Sequence, residues 1–250
     1  MYLKRVLLIT AFVGIGLVRV SAQTTTTEHL NQVWLAYFNQ TRFSNKWGAW
    51  ADLQLRTKKN FTDSLSQALI RLGITYYLNE QTRITAGYAF FNHYPADNHQ
   101  GISQPENRLW QQVMWNNKYP KLQMRQWLRL EERFRHNIAD NNNLAAGYSF
   151  NWRLRYSFSI GFPLSKNAFA PHTFSAVVND ELHINFGKKV VYNYFDQNRF
   201  FAGFAYHMNA QDNLQFGYLN VFFQLASGNK YKNVQALRIA YLHNLDLRKK

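Results

Sequence analysis

The sequence predicts an all-β protein, an antiparallel up-and-down transmembrane β-barrel of 10–12 strands. Three observations lead there. The amino end has the form of an export signal. Long segments alternate polar and apolar residues, and the polar face of those segments is rich in arginine. Residues 153–162, RLRYSFSIGF, show the alternation. Arg153, Arg155, Ser157, Ser159 and Gly161 fall on one face of a strand, and Leu154, Tyr156, Phe158, Ile160 and Phe162 on the other.

Composition excludes several classes. Of 250 residues, 46% are hydrophobic and 17% aromatic, which is ample for burial and unlike a disordered chain. There is no cysteine, so neither disulfides nor thiol chemistry enters. Lys4 and Arg5 precede an apolar run, Val6–Val18, and Val20-Ser21-Ala22 offers a small-residue cleavage site. Residues 1–22 therefore read as a cleaved signal peptide, and 23–250 as a single outer-membrane barrel domain. No other stretch approaches the roughly 20 apolar residues of a membrane-spanning helix. The formal charge of +15 belongs to an exported chain, so it is read from where the arginines sit and not as a nucleic-acid footprint.

Clusters rich in Asn, Asp, Gly, Ser and Pro divide the mature chain at 42–46, 58–63, 78–81, 94–105, 117–120, 137–143, 163–172, 187–196, 209–213 and 227–233. Eleven segments of about ten to eighteen residues lie between them, mostly with period-two patterning. That length suits strands that cross a bilayer at a tilt, which need about nine to eleven residues. In 123–135 one face carries Arg125, Trp127, Arg129, Glu131, Arg133 and Arg135. The other carries Met124, Leu128, Leu130 and Phe134, interrupted by Gln126 and Glu132. In 173–186, Ser175, Asn179, Glu181, His183 and Asn185 oppose an apolar set interrupted by Asp180.

A soluble barrel would turn the apolar set inward, whereas a membrane barrel turns it toward lipid. Eleven segments exceed the eight that fill a small soluble barrel. Arginine with spaced glutamates suits an enclosed network of bidentate bonds. Aromatics near segment ends, among them Trp34, Trp47, Trp50, Tyr77, Trp115, Tyr119 and Tyr192, suit interfacial girdles. The predicted location is the bacterial outer membrane. The partners expected there are outer-membrane lipids and lipopolysaccharide, with the barrel-assembly machinery during biogenesis. The chain is expected to be a monomer without nucleic acid. With the carboxyl end placed in the periplasm, long and short connections alternate. The first segment then starts on the outside, against the even strand number usual for bacterial barrels. A break within 144–162, a separate strand at 190–195, or passage of 23–29 through the lumen would each restore an even count.

Several stretches resemble a family of Gram-negative outer-membrane β-barrel proteins known as domain of unknown function 2490. They are Glu106-Asn107-Arg108-Leu109-Trp110-Gln111-Gln112, Arg129-Leu130-Glu131-Glu132-Arg133-Phe134-Arg135, Arg153-Leu154-Arg155-Tyr156, residues 179–187 from Asn179 to Gly187, and Phe195-Asp196-Gln197-Asn198-Arg199. The resemblance implies an outer-membrane barrel and no particular substrate or reaction.

The candidate site is a polar lumen network of Arg108, Arg125, Arg129, Glu131, Arg133, Arg153, Arg155, Glu181, His183 and Arg199. It reads first as a salt-bridge network that fills and stiffens the barrel, and second as a basic constriction favouring anions. No histidine has a zinc-ligand spacing, and no metal or other cofactor is expected. His183 shares a face with Glu181, the one arrangement suggestive of a general base, and Ser157 or Ser159 would be its nucleophile in a lipid-modifying enzyme. A secreted soluble ligand-binding barrel is the remaining alternative.

Overall fold

The computed structural model describes residues 25–248 except 59, 62 and 96–100; the proposed signal peptide lies outside the described residues. Among the described residues, eleven strands close into one barrel. In chain order they are β1 Thr26–Arg42, β2 Trp47–Thr57, β3 Leu65–Tyr77, β4 Thr82–His93, β5 Gln104–Tyr119, β6 Leu122–Ile138, β7 Leu144–Pro163, β8 Thr173–Phe186, β9 Phe195–His207, β10 Asp212–Gln224 and β11 Lys230–Asp246.

Every sequential pair is antiparallel, as an up-and-down meander requires. The closing pair is not: β1 runs parallel to β11, from Thr26↔Lys230 to Arg42↔Asp246. The parity explains it. When strands alternate in direction, the first and last of an odd number point the same way, and closure must be parallel. The odd count therefore stands. β7 is unbroken, residues 190–194 form no strand, and Thr26–His29 belongs to β1. None of the three devices that would restore an even count is used within the described residues. Closure leaves no sheet edge, so the backbone can meet hydrocarbon with its polar groups paired.

The connections 43–46, 78–81, 120–121, 164–172 and 208–211 lie at one end, with the carboxyl terminus, and are here the turn end. The connections 58–64, 94–103, 139–143, 187–194 and 225–229 form the loop end.

The faces are sorted as in a membrane barrel. Leu72, Ile74, Leu109, Leu154, Tyr156 and Leu182 point outward and are exposed, Ile74 by 57%. Glu106, Glu131 and His183 point inward and are fully buried. Continuous exposed aliphatic surface of this extent is foreign to soluble proteins. The outward polar residues come in pairs: Gln126 accepts from the Tyr156 hydroxyl at 2.7 Å, Glu132 from Gln111 at 3.3 Å, and Asp180 from Asn198 at 3.0 Å.

The aromatic girdle is smaller than expected. Trp47, Tyr119 and Tyr192 are exposed. Trp34 and Tyr77 are instead buried inside, and Trp50 packs against the inner cluster of Leu69, Ala89, Phe91 and Trp110. The reason is volume. Eleven strands enclose more space than eight, and long side chains, Trp and Arg, are what reach its middle.

Candidate functional site: an ion-pair lattice above a basic cavity

Local alternation delivers the charges inward. On β5, Glu106, Arg108, Trp110 and Gln112 share the inner face, and on β6 Arg129, Glu131 and Arg133 do so. Register sets them side by side: Arg108 faces Arg133, Trp110 faces Glu131, and Glu131 in turn faces Arg153 on β7. Two arginines directly opposite would repel, so each carboxylate is shared.

Glu106 accepts from Arg108 Nε at 2.6 Å, Arg133 Nε at 2.7 Å and Arg135 Nε at 2.9 Å, and lies 2.9 Å from His93 Nε2. Glu131 Oε1 accepts from Arg155 Nη1 at 2.6 Å. Its Oε2 accepts from Arg153 at 2.6 Å and 3.0 Å and from Arg108 at 3.3 Å. Glu181 accepts from Arg155 through both Nε and Nη2. Such carboxylates are held by several charge-assisted bonds each, which is what full burial of a charge requires.

A bulge on β9 adds one more acceptor. His183 pairs with Gln197 but Ile184 with Phe195, so Asp196 is the extra residue. The bulge turns both Asp196 and Gln197 toward the lumen. There Asp196 accepts from Arg153 Nη1 at 2.9 Å and from Asn185 at 3.0 Å. Aromatic faces also hold several of the cations. Arg108 stacks 3.4 Å above Phe91, Arg56 3.8 Å above Trp34, and Arg129 lies 4.7 Å from Trp110 and 4.8 Å from Trp127.

Of the ten candidate residues, Arg108, Arg129, Glu131, Arg133, Arg153, Arg155, Glu181 and His183 are buried together in this lattice, and Arg199 lies at its edge, 3.9 Å from Glu181. Arg125 does not join it. It is exposed, donates to Asn116 at 3.1 Å, and lines a cavity below. The sequence reading did not single out Asp52 and Arg71, an ion pair at 2.6 Å on β2 and β3. The even spacing of Asp52, Gln54 and Arg56 was the available signal.

Among the described residues, no catalytic arrangement forms around His183. Its Nε2 lies 2.7 Å from Glu181 Oε1 without the alignment of a hydrogen bond, and the Ser157 hydroxyl accepts from Asn179 at 2.8 Å. A serine–histidine contact occurs elsewhere: Ser175 Oγ lies 3.0 Å from His207 Nε2, and His207 Nδ1 faces Asn213 Oδ1.

The cavity occupies the turn-end half of the interior, with a volume of about 190 Å³. Seven of its lining side chains are arginine and one, Glu181, is a carboxylate. Trp50, Trp127, Phe38 and Phe201 supply aromatic wall.

Comparison with solved structures finds a distant likeness, the NanC porin in a rhombohedral crystal form. It aligns at a TM-score of 0.45 and 12% identity, over 86% of this chain and 99% of that chain. Among curated proteins no relative matches. The sequence pattern of the protein family of unknown function DUF2490 matches residues 31–232, and the chain belongs to that family.

Proposed function

We propose that the chain resides in the bacterial outer membrane as a barrel filled by its own ion pairs, with a narrow interior that favours small anions. The observation that carries this reading is the inversion of polarity between the faces: exposed Leu154 and Leu182 outside, fully buried Glu106 and Glu131 among arginines inside. Hydrocarbon solvates the first set, and mutual charge pairing satisfies the second. The turn end faces the periplasm on this reading, following the short-turn rule of such barrels. The excess of arginine over carboxylate sets the sign of the lumen field.

Membrane fractionation and planar-bilayer recordings test it. The protein is expected in the detergent-extracted outer-membrane fraction, with small conductance and a reversal potential displaced toward the anion potential. Recovery in buffer without detergent, or cation selectivity, would contradict it.

One observation favours a second reading, hydrolysis at the turn end. Ser175, His207 and Asn213 stand in the order of nucleophile, base and orienting group. Ser175 is only 2% exposed and the Phe169 ring stands 5.7 Å from His207, so an ester would need loop 164–172 to move. Loss of esterase activity on Ser175→Ala would establish this reading; no activity in the folded wild-type chain would remove it.

A further inference from the structure

The geometry points to a binding site for an organic oxyanion, a carboxylate or phosphate with an apolar flank, in the turn-end cavity between Arg83 and Arg125. This deepens the anion-favouring reading above and names the ligand chemistry of that interior.

The cations of the cavity fall into two groups. Arg71 and Arg155 are neutralised at 2.6 Å by Asp52 and Glu131, and Arg129 and Arg199 each stand 3.9 Å from a glutamate. Among the described residues, Arg83, Arg125 and Arg238 have no carboxylate within ion-pair distance. Arg83 donates to the Met114 thioether at 2.7 Å, Arg125 to Asn116 Oδ1 at 3.1 Å, and Arg238 to Gln215 Oε1 at 2.7 Å. Each of these acceptors is neutral and uses one donor of five, so most of each guanidinium fork remains unused. Arg129 Nη1, in the same wall, is buried with no hydrogen-bond acceptor at all.

Arg83 on β4 and Arg125 on β6 flank β5, one strand on either side of Met114 and Asn116. Two strand spacings and a two-residue offset put their backbones roughly 12 Å apart, within converging reach of two long side chains. With no acid between them they repel, and a bound oxyanion relieves that repulsion while filling both forks. Trp127 on β6 and Phe38 on β1 line the same cavity and give an apolar flank an aromatic surface. The exposure of Arg125 leaves the site open to solvent. Low-dielectric walls around unpaired cations strengthen the attraction further.

The test uses the mature full-length chain folded in nonionic micelles, with benzoate as probe and intrinsic tryptophan fluorescence as readout. Trp50 and Trp127 in the wall supply the signal. Benzoate should give a saturable change that weakens with added salt, and benzamide, its neutral counterpart, should give none. Arg83→Gln with Arg125→Gln should raise the dissociation constant at least tenfold, and Arg83→Lys with Arg125→Lys should restore part of it. Heat-dependent mobility on a gel verifies that each variant is folded. Competition by phosphatidylglycerol micelles would identify a lipid phosphate as the occupant, and its absence a soluble solute. A change equal for benzoate and benzamide, or equal affinity in the folded glutamine variant, would overturn the proposal. Binding in micelles is independent of conductance, so its failure and a failure of the conduit reading can be told apart.

Discussion

Arg153 donates two hydrogen bonds to Glu131 Oε2, from Nη2 at 2.6 Å and from Nε at 3.0 Å, directly across the β6–β7 ladder. The next residue on β6, Glu132, faces the other way and among the described residues accepts one side-chain hydrogen bond, from Gln111 at 3.3 Å. Two adjacent glutamates thus occupy opposite worlds. Glu131→Gln should destabilise the barrel by roughly 3–5 kcal/mol, because it leaves buried arginines uncompensated. Glu132→Gln should be near neutral, and Glu132→Leu neutral or stabilising. Urea unfolding in lipid vesicles, followed by tryptophan fluorescence, measures both; equal effects at the two positions would refute the assigned faces.

The parallel seam gives a covalent test. Leu35 and Ile239 are register partners with outward side chains, and the chain has no native cysteine. Leu35→Cys with Ile239→Cys should cross-link under mild oxidation, since paired strands fall within disulfide reach. Leu35→Cys with Leu237→Cys, offset by two residues, should cross-link far less. Preference for the offset pair would mean that β1 closes the barrel in another register.

Gly73 and Gly87 face each other on β3 and β4. A Cβ on Gly87 would sit 1.9 Å from the Leu72 carbonyl oxygen, and one on Gly73 would sit 2.8 Å from the Trp110 ring. The missing side chain at Gly73 leaves room for the Trp110 ring, and that at Gly87 lets β3 and β4 approach closely. Gly87→Ala should therefore cost roughly 1–3 kcal/mol through overpacking. An unchanged unfolding midpoint would show that the strands can move apart freely.

At the turn end, Arg42, the last residue of β1, reaches Glu80 in the connection 78–81, with hydrogen bonds of 2.7 Å and 2.9 Å. The Arg42 guanidinium holds the Glu80 carboxyl below the usual carboxylate range. A folded-state value below the unfolded one contributes stability above the unfolded value, and that contribution disappears as pH falls through the folded one. Glu80 is largely exposed, so solvent screening keeps the effect small. Glu80→Gln should flatten acid sensitivity below the glutamate range and leave stability at neutral pH little changed. A variant with the wild-type acid profile would remove this link.

Much of the fold was legible because a strand with unlike faces has a period of two, and that period needs no knowledge of partners. The connection at 78–81 falls where Leu78-Asn79-Glu80-Gln81 suggested it, and β7 carries Arg153 and Arg155 on one face with Leu154 and Tyr156 on the other. The parallel closure went unremarked, although the eleven segments imply it: a closed meander with an odd number of strands joins its first and last strands in parallel. The inward turn of Trp34 and Trp50 was not read. A tryptophan suits an interface or a wide interior equally well, and the deciding signal was the alternation that puts Trp50 on the face of Asp52, Gln54 and Arg56. Arg83 passed unnoticed because it is the one Lys, Arg, Asp or Glu in β4, whereas Arg238 fell on the polar face of its segment without being drawn into the site. Asp196 required the bulge, and a one-residue slip changes the face of a side chain.

The most direct measurement is nitroxide accessibility along β7 in lipid bilayers, with single cysteines at Tyr156, Ser157, Phe158, Ser159 and Ile160. Labels at 156, 158 and 160 should collide readily with oxygen, which concentrates in hydrocarbon, and those at 157 and 159 should not. The opposite phase, with the serine positions facing hydrocarbon and 156, 158 and 160 shielded, would contradict a barrel with lipid outside and arginine within.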